Sequence, residues 1–216
     1  KKTDKALIDY LTRDEMNALL AAPDCTTVAG LRDRAMLHLT YAAGLRVSEL
    51  LALQMGDFSD RSLSTVRVLG KGRRERVLPL WKETQTVLRT WIAVRPSVQV
   101  QELFVNREGQ PLSRDGFAHR LAVHVAAAAR KKPALAEKRV TPHVLRHSCA
   151  MHTLEATGDI RKVSLWLGHA SLQSTEAYLR VDPAEKLAIL AANAPPAVPK
   201  GKFRTPDKLL AMLAEI

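Results

Sequence analysis

Thr141-Pro142-His143-Val144-Leu145-Arg146-His147-Ser148 is the stretch on which the fold turns, because it marks where a long helix starts and what that start carries. Thr141 is placed as the cap and Pro142 occupies the first helical position, where a missing N–H removes no hydrogen bond. Gly158 closes this helix, Asp159 caps the next, and Gly168 ends it. A further helix carries Ser174 to Arg180. The second half of the chain therefore reads as a run of helices separated by glycine stops.

Working outward, Thr12 and Glu15 form a capping box ahead of Met16, Leu19 and Leu20, which predicts a short helix to about Ala22, before Pro23. A second helix is expected over about Leu31 to Ala43, with Leu31, Ala35, Leu39 and Ala42 on one face and Gly44 as its left-handed cap. A short one starts at Val47. Between Leu63 and Leu80 the pattern changes to alternation, with Val66 and Val68 on one side of Gly70-Lys71-Gly72 and Val77 and Leu80 on the other, a β-hairpin. Helices return at about Lys82 to Val94 and Arg114 to Lys131, and Glu102 to Val105 reads as one more short strand. The fold class expected is mainly α with a small antiparallel β-sheet (α+β).

With 216 residues, 46% of them apolar and 25% charged, the chain is able to bury a core and is too apolar for wholesale disorder. The distinctive number is the charge: 33 Lys and Arg against 22 Asp and Glu leave +11, which points to a polyanionic partner. No run of about 18 apolar residues offers a membrane span, and no signal-peptide pattern follows Lys1 to Asp4, so a cytoplasmic, nucleoid-associated place is expected. Cys25 and Cys149 are too few and too far apart for a disulfide framework or a zinc knuckle. Pro195, Pro196 and Pro199 make residues 193–205 a stiff linker, so the expected organisation is a domain over residues 1–192, that linker, and a C-terminal helix over 206–216.

Five segments carry groups suited to phosphate chemistry. Gly44-Leu45-Arg46-Val47-Ser48-Glu49-Leu50 puts Arg46 at a helix start, where backbone N–H groups favour an anion, although a plain surface pair with Glu49 fits as well. Gly70-Lys71-Gly72-Arg73-Arg74 sets Lys71 at a hairpin tip whose glycines allow close approach to a ligand, and basic turns also serve solubility. His143 and Arg146 stand three apart, an imidazole able to move a proton beside a guanidinium able to grip phosphate. A metal site built from His143, His147 and His152 is the competing reading, weakened by the missing carboxylate between them. Leu167-Gly168-His169 adds an imidazole at a helix end, and Tyr178 follows nine residues later, by itself an ordinary half-buried aromatic.

In kind, order and spacing these segments resemble the tyrosine recombinase or phage integrase family over about Leu11 to Val181. The resemblance implies a mainly helical catalytic domain that cuts and rejoins DNA, with Tyr178 as the nucleophile that leaves a 3′-phosphotyrosyl link. It further implies that Arg46 and Arg146 hold the non-bridging oxygens and that Lys71 protonates the leaving 5′-oxygen. On the same footing His143 accepts the tyrosine proton, His169 positions the phosphate, Glu49 orients its neighbours, and Lys71, Arg73 and Arg74 contact DNA. No cofactor and no metal are implied. The partners expected are a double-stranded recombination site and other copies of the chain, a tetramer on DNA joined by exchange of the C-terminal helix.

Two departures from the family pattern stand out. The family's enzymes carry an N-terminal DNA-clamping domain, which is expected to be absent from this chain, and Cys149 and Met151 replace an aromatic and a small polar residue. The competing functions are a type IB topoisomerase-like relaxing enzyme and a DNA-binding module without catalysis.

Overall fold

The computed structural model describes residues 9–58, 62–70, 75–169 and Thr175, all within Lys1–Asp182, one of the two compact units of the chain. Helix α1, Arg13–Leu20, opens on both bonds of a capping box: Thr12 Oγ1 accepts from the Glu15 N–H at 3.2 Å, and the Thr12 N–H donates to the Glu15 carboxylate at 2.8 Å. Helix α2, Val28–Ala42, starts earlier than its apolar face suggests, because Thr27 Oγ1 accepts from the Gly30 N–H at 3.0 Å and caps it there. Gly44 follows with a φ of 55°, the left-handed conformation that reverses the chain. Helix α3, Val47–Leu51, begins directly after it.

Strands β1, Thr65–Leu69, and β2, Glu75–Pro79, pair antiparallel as the only sheet among the described residues. Their register sets Val66 opposite Leu78 and Val68 opposite Arg76, so these four face inward. Val77, an expected partner in the apolar alternation, is 63% exposed, and Leu78 takes the inner place, since successive side chains of a strand alternate faces. Helix α4, Lys82–Val94, and helix α5, Arg114–Ala129, occupy their expected ranges, as do helix α6, Pro142–Thr157, and helix α7, Ile160–Leu167. Apart from Thr175, the expected helix at Ser174 to Arg180 lies outside the described residues, as do the linker over 193–205 and the terminal helix over 206–216.

The strand expected at Glu102 to Val105 does not form. Only single bridges appear there, Gln54 with Glu102 and Val105 with Pro111. Its backbone groups are taken by other partners: the Leu103 N–H donates to Leu53 O at 2.7 Å, Trp91 Nε1 and Arg95 Nε both donate to Leu103 O at 3.1 Å, and Arg95 Nη2 reaches Glu102 O at 2.7 Å. With carbonyls and amides satisfied by a loop and two side chains, no ladder is needed.

Helix α2 lies at the centre, packed on α1, α3, α4 and α6, with Ala35, Met36, Leu37 and Leu39 buried. A helix apolar on several sides is a core helix. Helix α5 joins α1 and α3, and a buried carboxylate ties it to α2. Asp33 accepts from Arg32 Nε at 3.0 Å and Arg120 Nε at 2.5 Å and pairs with His124 Nε2 at 2.8 Å. Burial works to raise the Asp33 carboxyl, but the His124 bond and the Arg32 charge outweigh it and hold the group below its usual range.

Trp91 is 1% exposed and stacks on Phe104. Trp91→Ala is expected to cost about 3–5 kcal/mol in urea unfolding. Trp91→Phe, which keeps a ring and leaves Leu103 O bonded to Arg95, should lose only about 1 kcal/mol; equal losses would contradict this packing.

Candidate active site

The turn after α2 delivers Arg46 to the cap of α3, and Glu49 answers it twice. Its carboxylate accepts from the Arg46 backbone N–H at 2.9 Å and from Arg46 Nη1 at 2.8 Å. The free amide that sequence assigns to an anion at this helix start is therefore taken by Glu49, and an incoming anion meets the guanidinium instead. Glu49 is 5% exposed, and from the other side it receives a two-pronged contact from Arg76 on β2, Nη1 at 3.2 Å and Nη2 at 2.8 Å. Burial alone raises the Glu49 carboxyl, but the bonds from Arg76 and Arg46 outweigh it, and the group lies below its ordinary range.

Arg146, on α6, has a side chain only 5% exposed and sits 3.9 Å from the Glu49 carboxylate. Its guanidinium donates to Gly44 O and, at 2.8 Å, to Leu167 O. Leu167 O is the last carbonyl of α7, which a helix leaves without an internal partner, and Gly44 O belongs to the turn that follows α2. The Arg46 side chain keeps 34% of its surface exposed against 10% for Arg76, so of the two Arg46 has the reach toward an approaching ligand.

Beyond Leu167 the chain passes Gly168, in the left-handed conformation, to His169. The His169 N–H donates to Ser164 O at 3.1 Å, and its Nδ1 pairs at 2.7 Å with the hydroxyl of fully buried Thr175. Burial, then the charges of Arg146, Arg46 and Arg76, push the imidazole down to about 4, so it is neutral at physiological pH.

The structure thus gathers Arg46, Glu49, Arg146 and His169 in one place, four of the residues that the family resemblance implies. His143 stands differently. It is exposed, its ring centre 6.4 Å from that of His147, beside a cleft of about 290 Å³ lined also by Asp9 and Arg139. Half-buried His147 stands between the two regions: burial first, then the charges of His143 and Arg146, lower its pKa, and it adds to the positive field at His169. Lys71, Arg73, Arg74 and Tyr178 lie outside the described residues.

The histidines of α6 do not converge. His152 is buried and bonds Tyr41 Oη through Nδ1 at 2.8 Å, and among the described residues no three His, Cys, Asp or Glu side chains are grouped as metal ligands. Arg76 and Thr175 escaped the sequence reading. For Arg76 a signal existed, since it shares strand parity with inward-facing Leu78 and a buried arginine requires a carboxylate. Nothing local marked Thr175.

Residues 9–185 match the model of the phage integrase family. The chain belongs to that family. This phage integrase domain is 41% identical over 213 residues to an integrase/recombinase-like protein, y4rC, of Sinorhizobium fredii, covering 99% of the chain and 64% of the relative. It is 39% identical over 186 residues to tyrosine recombinase XerD of Listeria innocua, covering 83% of the chain and 60% of that protein. The chain therefore spans less than two thirds of the length of either. Among solved structures, it resembles XerH site-specific recombinase bound to difH substrate in a pre-cleavage complex, with a TM-score of 0.73 and 25% identity over 90% of this chain and 56% of that one.

Glu49→Ala leaves the buried guanidinium of Arg76 without its counter-charge and is expected to cost about 3–5 kcal/mol. Because the folded-state value is depressed, the contribution of Glu49 is present above its ordinary value of about 4.5 and is lost as pH falls through the lower folded value. Urea unfolding of the two proteins should show a stability gap that is constant at neutral pH and narrows below about pH 4. A gap that widened on acidification would reverse the assignment.

Proposed function

We propose that this phage integrase domain is the catalytic part of a tyrosine site-specific recombinase, which cleaves and rejoins double-stranded DNA through a 3′-phosphotyrosyl intermediate. The observation that carries this reading is the cluster at Glu49. Three guanidinium groups surround one carboxylate, leaving a net positive, fixed site beside the neutral ring of His169. Such a site suits a phosphorane-like transition state, whose extra negative charge is stabilised best by donors that need not reorganise.

In the proposed reaction the phenolic oxygen of Tyr178 attacks the scissile phosphorus. The phenol proton passes to His143, the bond from phosphorus to the 5′-oxygen breaks, and Lys71 protonates that oxygen as it leaves. Arg46 and Arg146 stabilise the non-bridging oxygens, and His169 orients them by a hydrogen bond. The phosphotyrosyl bond retains the energy of the broken linkage, so a second 5′-hydroxyl can reverse the step on a new strand without ATP. Arg73 and Arg74 add sequence-independent phosphate contacts, consistent with the overall charge of +11.

The partner proposed is a DNA recombination site occupied by several copies, a tetramer in which each chain passes its C-terminal helix, residues 206–216, to a neighbour; this activity belongs in the cytoplasm, on the nucleoid. What supports a receiving surface is an apolar groove of about 410 Å³ lined by Tyr41, Trp81, Cys149, Leu165 and Trp166, where Leu165 is 79% exposed and Trp81 52%. Exposed apolar surface of this kind marks a place where another chain docks.

The test starts from a pool of nicked duplexes with randomised cores, from which DNA remaining attached to the protein after denaturation is isolated. Tyr178→Phe should bind the selected duplex as the parent does and form no covalent adduct. Adduct formation by that variant would remove Tyr178 as the nucleophile, and absence of any adduct with the parent chain would favour a DNA-binding module without catalysis. Truncation after Lys200 should spare binding by the single chain and weaken multi-copy assembly on paired sites, read by gel mobility; undiminished assembly would end the exchange model.

A further inference from the structure

We infer that Arg76 is a positioning residue for the cleavage step: it locks strand β2, and so the hairpin whose connection contains Lys71, against Glu49 and beneath the turn that leads to His169. The inference rests on the proposed role of Lys71 as the acid.

Arg76 faces inward opposite Val68, on the side of the sheet that otherwise buries Val66 and Leu78. Both of its terminal nitrogens are engaged with the two Glu49 oxygens, at 3.2 and 2.8 Å, and its side chain is only 10% exposed. Its Nε is buried with no hydrogen-bond partner, so the guanidinium is placed by the fork to Glu49 at the expense of one donor. A guanidinium whose fork is committed to a carboxylate acts through what it holds.

The residue also shapes its second neighbour. A Cβ added at Gly168 would stand 2.9 Å from Arg76 Cδ and 3.2 Å from Nη1. The absence of a side chain at Gly168 therefore serves two ends, the left-handed turn and the room that Arg76 occupies. One side chain thereby ties together β2, α3 and the turn before His169. The apolar contacts of Val66, Val68 and Leu78 hold the sheet to the core but are tolerant of small shifts, whereas a two-pronged ion pair defines direction as well as distance. A general acid must lie within hydrogen-bond reach of the leaving oxygen, and a displacement of about 1 Å costs about 10²-fold in rate.

The test compares two versions of the duplex captured by the parent chain, one with the natural phosphodiester and one with sulfur in place of the bridging 5′-oxygen, a leaving group that needs little protonation. Arg76→Lys keeps the charge and loses the fork, and thermal unfolding checks that it folds; Lys71→Ala and Arg46→Ala serve as references. On the natural duplex Arg76→Lys should form the covalent adduct about 10²-fold more slowly with DNA affinity unchanged. On the sulfur duplex it should regain most of that loss, as Lys71→Ala does, while Arg46→Ala should not. If Arg76→Lys lost the same factor on both duplexes while Lys71→Ala was rescued, or cleaved the natural duplex at the parent rate, Arg76 would not position the acid. If Lys71→Ala itself showed no rescue, the acid role of Lys71 would fail and this inference with it.

Discussion

The carboxylate of Glu49 is buried among guanidinium groups, and the geometry of the site follows from how that one charge is satisfied. Removing an ion from water costs several kcal/mol even after relaxation, and the loss is recovered only when its lone pairs meet well-aligned donors. Glu49 has those donors from two directions, the backbone and side chain of Arg46 within its own turn and the fork of Arg76 from the sheet. Because both oxygens are committed, α3 and β2 cannot move independently. Arg146, its Nη1 3.9 Å from Glu49 Oε2, adds a third and longer ion pair, so three cations face one carboxylate and the cluster stays positive overall. A positive site held in place by its own internal ion pairs is already organised before DNA arrives.

Arg146 extends the arrangement to the helices. Its donors go to Gly44 O, in the turn after α2, and to Leu167 O, where α7 stops. The last carbonyl of α7 and one in the turn after α2 are satisfied by one buried side chain, and the chain segments leaving those two points are the ones that carry Arg46 and His169. Asp33 uses the same chemistry away from the site. There Arg32, Arg120 and His124 surround a carboxylate between α2 and α5, but Arg32 also donates to Val105 O at 3.0 Å, inside the core. That cluster joins helices; the one at Glu49 in addition leaves Arg46 partly exposed beside an imidazole.

Caps, glycine stops and a small set of buried ion pairs constrain where helices begin, where they end and how they are joined. The apolar positions between them tolerate exchange as long as volume and pattern are kept.

The sequence by itself marked where most of the described helices begin and end, and it named Arg46, Glu49, Arg146 and His169. Thr12 with Glu15, Thr141 with Pro142, Asp159, Gly44 and Gly168 act through bonds and dihedral angles within about one turn, so their meaning is local. Arg46 and Glu49 are likewise neighbours in one turn, and the order of Arg46, Arg146 and His169 along the chain placed them together on family resemblance. Tertiary structure alone decided the rest. It turned Leu78 inward and Val77 outward, left Glu102 to Val105 without a ladder, set His143 on the exposed side of His147, and brought Arg76 to Glu49 across 27 residues and Arg146 to Gly44 across 102. Contacts at such separations depend on how whole elements pack, and a buried arginine in a strand announces only that some carboxylate must meet it, not which one.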